Sequence, residues 1–349
     1  MRRTVSVVIL FAMVVSGCAT GGASSSIGPA AASGGASSVA SAALASLPPE
    51  ARTLTVAFTT PGFSAVPLLE ALDQMKAEGY TIETPTLEQS ELTVQGVASG
   101  QFQFSTGTAS GILTAIRSGA GLVMLSDRVA NEWTLYGDAD VPACKDLHGR
   151  PTGIGSEGAV STAMLRAWVA QECPSASPQY LVLGQSPTRN AAFIAGQIDA
   201  NVVELSDAIR LETDQPGKFH LLANFSKTLP NLHPTPLYGN AVFVEKYPQV
   251  AKDLLRAQLT VHRSIAADPA YLARIVSKWL PDLDDKFLID VAKEYVDLGL
   301  FPRDGGLTAE GVTYTIGFFE QAGTIKPGLS AKDVFDASFA QSVVADLPN

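Results

Sequence analysis

Strand-like and helix-like segments alternate through this chain in two successive series, and that double alternation restricts the fold more than any other feature. Leu54 to Phe58 reads as a strand and Val66 to Lys76 as a helix, with Pro67 in the first turn, where its missing N–H costs nothing. Tyr80 to Glu83 is a second strand, Glu91 to Ser99 a helix stopped by Gly100, and Phe102 to Phe104 a third strand. Ser110 to Arg117 is helical, Ser118-Gly119 ends it, and Leu122 to Leu125 is a fourth strand. The pattern then restarts with strand Pro151 to Ile154, helix Val160 to Glu172, strand Tyr180 to Leu183, helix Arg189 to Ala195 and strand Asn201 to Val203. Leu221 to Ala223 and Ala241 to Val244 read as further strands. Helices dominate thereafter: Gln249 to Ala266, Ala270 to Trp279, Asp285 to Asp297, Thr308 to Gln321 and Ala331 to Val344. This order predicts two α/β lobes, each a parallel sheet covered by helices on both faces. The chain is expected to leave lobe 1 near Gly137 and return near Gly239, so lobe 1 comprises residues 51–138 and 238–349 and lobe 2 residues 139–237. Ligands of open sheets lie beyond the carboxyl ends of the strands, which for two facing sheets means a cleft between lobes.

The N-terminus predicts where the protein works. Arg2 and Arg3 precede an uncharged run from Val5 to Val15 that ends in Val15-Ser16-Gly17-Cys18. A basic start, a short apolar run and small residues make an export signal, here residues 1–17. The run is too short for a hydrocarbon core that needs roughly 20 helical residues. Cys18 stands where a lipoprotein signal peptidase would cut, leaving it free to carry two or three acyl chains, palmitate among them, and so to anchor the protein at the cell membrane. Residues 18–50 are expected to act as a leash, because Ala19 to Leu47 is almost wholly Gly, Ala and Ser, and Pro48-Pro49 closes it. Net charge is -10, no Lys/Arg cluster occurs, and nucleic acid is therefore an improbable partner. Only Cys144 and Cys173 remain after Cys18, and outside the cytoplasm they are expected to pair as a disulfide, the alternative being two buried thiols.

Four segments carry a family resemblance: V-A-S-G-Q-F-Q-F-S-T-G at 97–107, D-L-H-G-R-P-T-G-I-G-S-E-G at 146–158, A-A-F-I-A-G-Q-I-D-A at 191–200 and E-K-Y-P-Q-V-A-K-D-L-L at 245–255. In order and spacing the chain resembles extracytoplasmic solute-binding proteins of the nitrate/sulfonate/taurine and thiamine-precursor group. The resemblance implies the two-lobe periplasmic-binding-protein fold of the second type, a small-molecule ligand, an ATP-driven (ABC) transporter permease as partner, and a monomer with no cofactor.

The candidate ligand-binding residues lie at strand-to-helix turns. Gly153 to Gly158 lacks the Gly-Lys-Ser ending of a nucleotide loop, so its N–H groups and hydroxyls suit a polar ligand group. By resemblance, Ser156, Glu157 and Ala159 line the cleft; Glu157 would oppose a bound anion, unless it is only a first-turn charge in solvent. Lobe 1 supplies Thr60 and Phe63 after its first strand and Thr106 and Thr108 after its third; Phe63 suits stacking on a flat ligand or packing at the lobe surface. Trp133, near the crossing, suits a ligand site or the core. Glu204 ends a strand and by resemblance faces the cleft, while Tyr238 and Asn240 could bond a ligand or fix the hinge. The two carboxylates favour a flat neutral or cationic heterocycle or amine; Arg128 and Arg189 keep open a sulfonate, carboxylate or other small anion. An enzyme on the same fold is the remaining alternative. His148, His220, His233 and His262 are scattered, with no metal-ligand spacing and no nucleophile elbow, so no catalytic or metal residue is assigned.

Overall fold

The structure is a computed structural model that describes residues 46–59, 62–87 and 89–347. The signal segment, Cys18, nearly all of the leash, and Thr60 lie outside the described residues.

Two five-stranded sheets organise the chain. The first contains β1 (Thr53–Ala57), β2 (Thr81–Glu83), β3 (Phe104–Thr106), β4 (Leu122–Val129) and β10 (Thr235–Asn240), in the order β2-β1-β3-β10-β4. The second contains β5 (Trp133–Gly137), β6 (Pro151–Ile154), β7 (Gln179–Val182), β8 (Ala200–Glu204) and β9 (His220–Asn224), in the order β7-β6-β8-β5-β9. The two orders are the same once each sheet is counted from its own first βαβ unit. In each, the strand next to the edge arrives directly from the other lobe and runs antiparallel: β10 against β3 and β4, β5 against β8 and β9. The sheets are therefore mixed rather than wholly parallel, because a short crossing lacks the length of a right-handed helical crossover.

This arrangement moves the hinge. Trp133–Gly137 already belongs to the second sheet and Thr235–Asn240 to the first, so the crossings occupy residues 130–132 and 225–234, and the expected turning points Gly137 and Gly239 both fall within strands. Ala241 to Val244, expected as a strand, lies in the helix Ala241–Lys246. The Asn240 side chain accepts a hydrogen bond from the Phe243 N–H at 2.9 Å, and this N-cap overrides the strand preference of Val242 and Val244. The expected last helix is two pieces, Ala331–Val334 and Ala337–Asp346; Phe335 breaks it to bridge Met124, and Asp336 caps the second piece.

The crossings are tied together by buried polar groups. Asn131 Nδ2 donates to the carbonyls of Phe225 at 3.1 Å and Leu229 at 3.2 Å, joining one crossing to the other. His233 Nδ1 lies 2.7 Å from Asp127 Oδ2, tying the return crossing to the end of β4. Glu132, in the outgoing crossing, accepts a hydrogen bond from the Tyr295 hydroxyl. The helices Val66–Glu78, Pro248–Ala267, Pro269–Trp279 and Asp285–Asp297 cover one face of the first sheet around Leu72, Leu254, Leu272 and Val291. In lobe 2 the Cys144–Cys173 disulfide, with Cα atoms 5.8 Å apart, fastens the turn before β6 to the end of helix Val160–Glu172, so the expected pairing is present.

Candidate functional site

A cavity of about 400 Å³ lies between the sheets, at the carboxyl ends of their parallel strands. Its walls are four strand-to-helix connections: Gln89 to Glu91 and Thr106 to Thr108 from lobe 1, and, from lobe 2, Gly155-Ser156 with Ala159 to Ser161, and Gly184 to Ser186. Each leads into a helix, at Ser90–Ala98, Ala109–Arg117, Val160–Glu172 and Ser186–Ile194, and none of these four starts has a side-chain cap. Asn224, Asn240, Asp268, Asp284, Thr308 and Asp336 each accept from a backbone N–H of the helix they begin, and none of them lines the cavity; the starts of Val66–Glu78, Leu205–Asp214 and Pro248–Ala267 also lack a side-chain cap. Uncapped N–H groups at four converging helix starts give the cleft a partial positive potential and a supply of donors.

Two side-chain donors add to that supply. The indole Nε1 of Trp133 and the guanidinium Nε of Arg128 are buried and have no hydrogen-bond partner, and both residues line the cavity. Leaving such groups unpaired costs about 1–3 kcal/mol each, a cost that a hydrogen-bond acceptor in the cavity would relieve. Arg128 has one weak ion pair, with Glu132 at 3.9 Å. Arg189 differs: it is 3% exposed and spends its donors on Gly184 O at 2.6 Å, Asn201 Oδ1 at 3.1 Å, Val202 O at 3.2 Å and Ser186 Oγ at 3.3 Å. It therefore braces the Gly184–Ser186 turn, and burial lowers its guanidinium to about 10.

Glu204 supplies the opposite chemistry. It lines the cavity at the end of β8, and among the described residues no donor hydrogen-bonds its carboxylate. Burial, reinforced by the charges of Glu132 and Asp207, pushes its carboxyl up to about 8. The cleft thus combines hydrogen-bond donors with two carboxyls, those of Glu204 and Glu91.

Of the residues expected at the site, Thr106, Thr108, Trp133, Ser156, Ala159 and Glu204 do converge on the cavity, as do Arg128 and Arg189. Glu157 does not: its side chain is 69% exposed and pairs with Arg166 at 2.7 Å, the solvent charge that was its alternative reading. Phe63 is 3% exposed and packs on Tyr295 at 4.9 Å, beside a neighbouring chamber rather than in the main cavity. Tyr238 is buried under the floor, 3.1 Å from Thr93 Oγ1, and Asn240 serves as a helix cap and donor to Val97 O. Gln89, Ser90, Gln185 and Ser186 line the cavity as well, and their signal in the sequence is a polar residue at the start of each helical segment. Among the described residues no group of three or more His, Cys, Asp or Glu side chains is placed to hold a metal ion.

Lobes touch on both sides of the cleft. Ser110 Oγ of lobe 1 donates to Gly158 O of lobe 2 at 2.9 Å, and Arg210 of lobe 2 lies over the Phe287 ring of lobe 1 at 5.1 Å.

The NMT1/THI5-like family model matches residues 76–271, more than half of the chain. The chain belongs to this family. Solved structures similar to this NMT1/THI5-like protein include the ligand-binding component of an ABC-type import system from Staphylococcus aureus with zinc bound (12% identity, 83% of this chain and 98% of that one, TM-score 0.68). The periplasmic nitrate-binding protein NrtA of Synechocystis is similar at 12% identity over 85% of this chain and 89% of that one, TM-score 0.68. The alkanesulfonate-binding protein SsuA of Xanthomonas axonopodis, bound to MOPS, is similar at 16% identity over 82% of this chain and 99% of that one, TM-score 0.63. At these identities the shared property is the fold, and it is the two-lobe periplasmic-binding-protein fold. No curated protein matches the sequence.

Proposed function

We propose that this NMT1/THI5-like protein is the extracytoplasmic solute-binding component of an ATP-driven importer. It captures a small organic molecule between its lobes and presents it to a membrane permease. The observation that carries this reading is the pair of buried, unpartnered donors in residues that line one interlobe cavity, Trp133 Nε1 and Arg128 Nε, beside four uncapped helix starts. A concave site lined by hydrogen-bond donors suits capture of a small polar molecule. The importers' binding proteins among the structural neighbours support the same reading. Acylation of Cys18 would hold the protein, as a monomer on its leash, at the membrane surface near the permease.

The favoured solute is a flat nitrogen heterocycle or amine that also carries hydrogen-bond acceptors. Its N–H groups or positive charge would face Glu204, and its acceptors would meet Trp133, Arg128 and the helix starts. Arg128 and the helix starts also favour a second reading, a sulfonate or carboxylate, to which Glu204 would donate in its protonated form. A thermal-shift screen across heterocycles, amines, sulfonates and carboxylates tests both readings. A bound solute should lose about tenfold in affinity on Trp133→Phe, the effect of one hydrogen bond. An amine should bind more tightly as pH rises through about 8 and Glu204 ionises, an anion less tightly. No binding in any class, or binding indifferent to Trp133→Phe and Arg128→Met, contradicts the proposal.

A further inference from the structure

A second chamber, about 230 Å³, opens beside the main cavity, and both are lined by Thr59, Gln185, Ser186 and Glu204. A molecule seated in the main cavity can therefore extend past Glu204 into the second. The two walls of this chamber differ in chemistry. Lobe 1 contributes Phe63, Leu280, Leu283 and Phe287, an apolar and aromatic surface; lobe 2 contributes the carboxylates of Glu204 and Asp207 and the guanidinium of Arg210. Asp207 is held by Asn190 Nδ2 at 2.6 Å and, although Arg210 is three residues away, makes no ion pair with it. Arg210 instead lies over the Phe287 ring at 5.1 Å and reaches Asp214 at 3.8 Å, so a cation already occupies one face of that ring.

Two carboxylates facing aromatic and aliphatic side chains across a slot this small are complementary to an alkylammonium. The charge meets oxygen on one side, while the carbon chain and the ring quadrupole are satisfied on the other. An anion would meet Asp207, and Glu204 once it is ionised, head-on, and a neutral alkyl group would leave Glu204 without a donor.

We propose that the chamber bounded by Phe63, Leu283 and Phe287 on lobe 1 and by Glu204 and Asp207 on lobe 2 is a subsite for an organic ammonium group, the arm of a solute whose acceptor-rich part fills the main cavity. The assignment to one solute rests on the solute-binding reading; the ammonium subsite itself can be tested separately. It also gives the interlobe seam a role in selection, since each lobe supplies one half of the recognition and the subsite is complete only when the lobes are together.

The test uses butylammonium chloride as the probe and 1-butanol as its neutral match, titrated into the full chain at about pH 9, where the amine is still protonated and Glu204 ionised. Methyl NMR resonances of Leu280 and Leu283, assigned by substitution, report occupancy of the chamber. Butylammonium should give saturable shifts at both leucines, and 1-butanol should bind at least tenfold more weakly. Asp207→Asn should weaken butylammonium at least tenfold, and Leu283→Trp, which fills the slot from the other wall, should abolish its binding. Equal shifts from 1-butanol, no saturable shift from butylammonium, or undiminished binding to Asp207→Asn each overturn the subsite. If a solute is still retained in the main cavity in that event, the importer reading survives; if no solute is captured at all while butylammonium binds as expected, the importer reading fails and the ammonium subsite stands.

Discussion

Ionisation of Glu204 should be readable as a dependence of folding stability on pH. Its carboxyl, ordinarily near 4.5, is pushed up to about 8 by burial and by the neighbouring charges of Glu132 and Asp207. The native protein therefore keeps a proton that the unfolded chain releases, and stability is fully present below about 4.5 and declines as pH rises towards about 8. At about 1.4 kcal/mol per pH unit the whole interval corresponds to ~5 kcal/mol. Because Glu204 titrates together with its neighbours, the part that Glu204 alone carries is about 2–3 kcal/mol. Glu204→Gln imitates the protonated side chain and should abolish that part of the pH dependence. Urea unfolding followed by tryptophan fluorescence, for both proteins between about pH 5 and 9, measures the difference. The wild type should lose about 2–3 kcal/mol more than the Gln variant over this range. Parallel profiles would mean that the carboxylate is solvated, and would remove the basis for pairing it with a donor on the solute.

Three further outcomes follow from the same geometry. Cys173→Ser opens a loop whose ends are 29 residues apart and should cost about 3 kcal/mol in oxidising buffer, with no effect in strong reductant. His262 is wholly buried, with its ring near a pKa of about 4 because burial disfavours the charged form. The unfolded chain takes up a proton that the native chain refuses, so stability should fall by about 2–3 kcal/mol as pH drops from about 6.5 to about 4, and His262→Gln should flatten that slope in chemical denaturation. Trp133→Phe removes a buried donor without a partner, so the ligand-free variant should unfold at the same or a slightly higher temperature while solute affinity falls; a loss of several degrees would make Trp133 a core residue instead.

Much of the lobe architecture was legible in the sequence, because periodicity and helix stops are local. Val160–Glu172, Asp285–Asp297 and Pro151–Ile154 were each recognisable from their own residues. What was not legible depends on distant partners. Trp133–Gly137 looks like a connection and becomes a strand only because β8 and β9 receive it, and this one strand shifts the hinge. Val242 and Val244 suggest a strand, but Asn240 caps a helix there. At the site, Glu204 sits at a strand end, and strand ends of this kind can be found from sequence. Glu157 occupies an equally suggestive position, yet its side chain turns to Arg166, a choice fixed by rotamer and neighbour rather than by spacing. The uncapped helix starts carry a signal that sequence does contain: Ala159 and Gln185 stand where Asn or Asp would cap.

The central claim, that one solute is held by both lobes in the main cavity, is tested most directly by occluding that cavity from each side in turn. Wild type, Thr106→Trp from lobe 1 and Ser156→Trp from lobe 2 are each incubated with the same small-molecule extract, desalted and analysed by native mass spectrometry. The account predicts an added mass on the wild type that both variants lose, at unchanged fold by circular dichroism. Retention of that mass by either variant would place the solute outside the interlobe cleft and contradict the account.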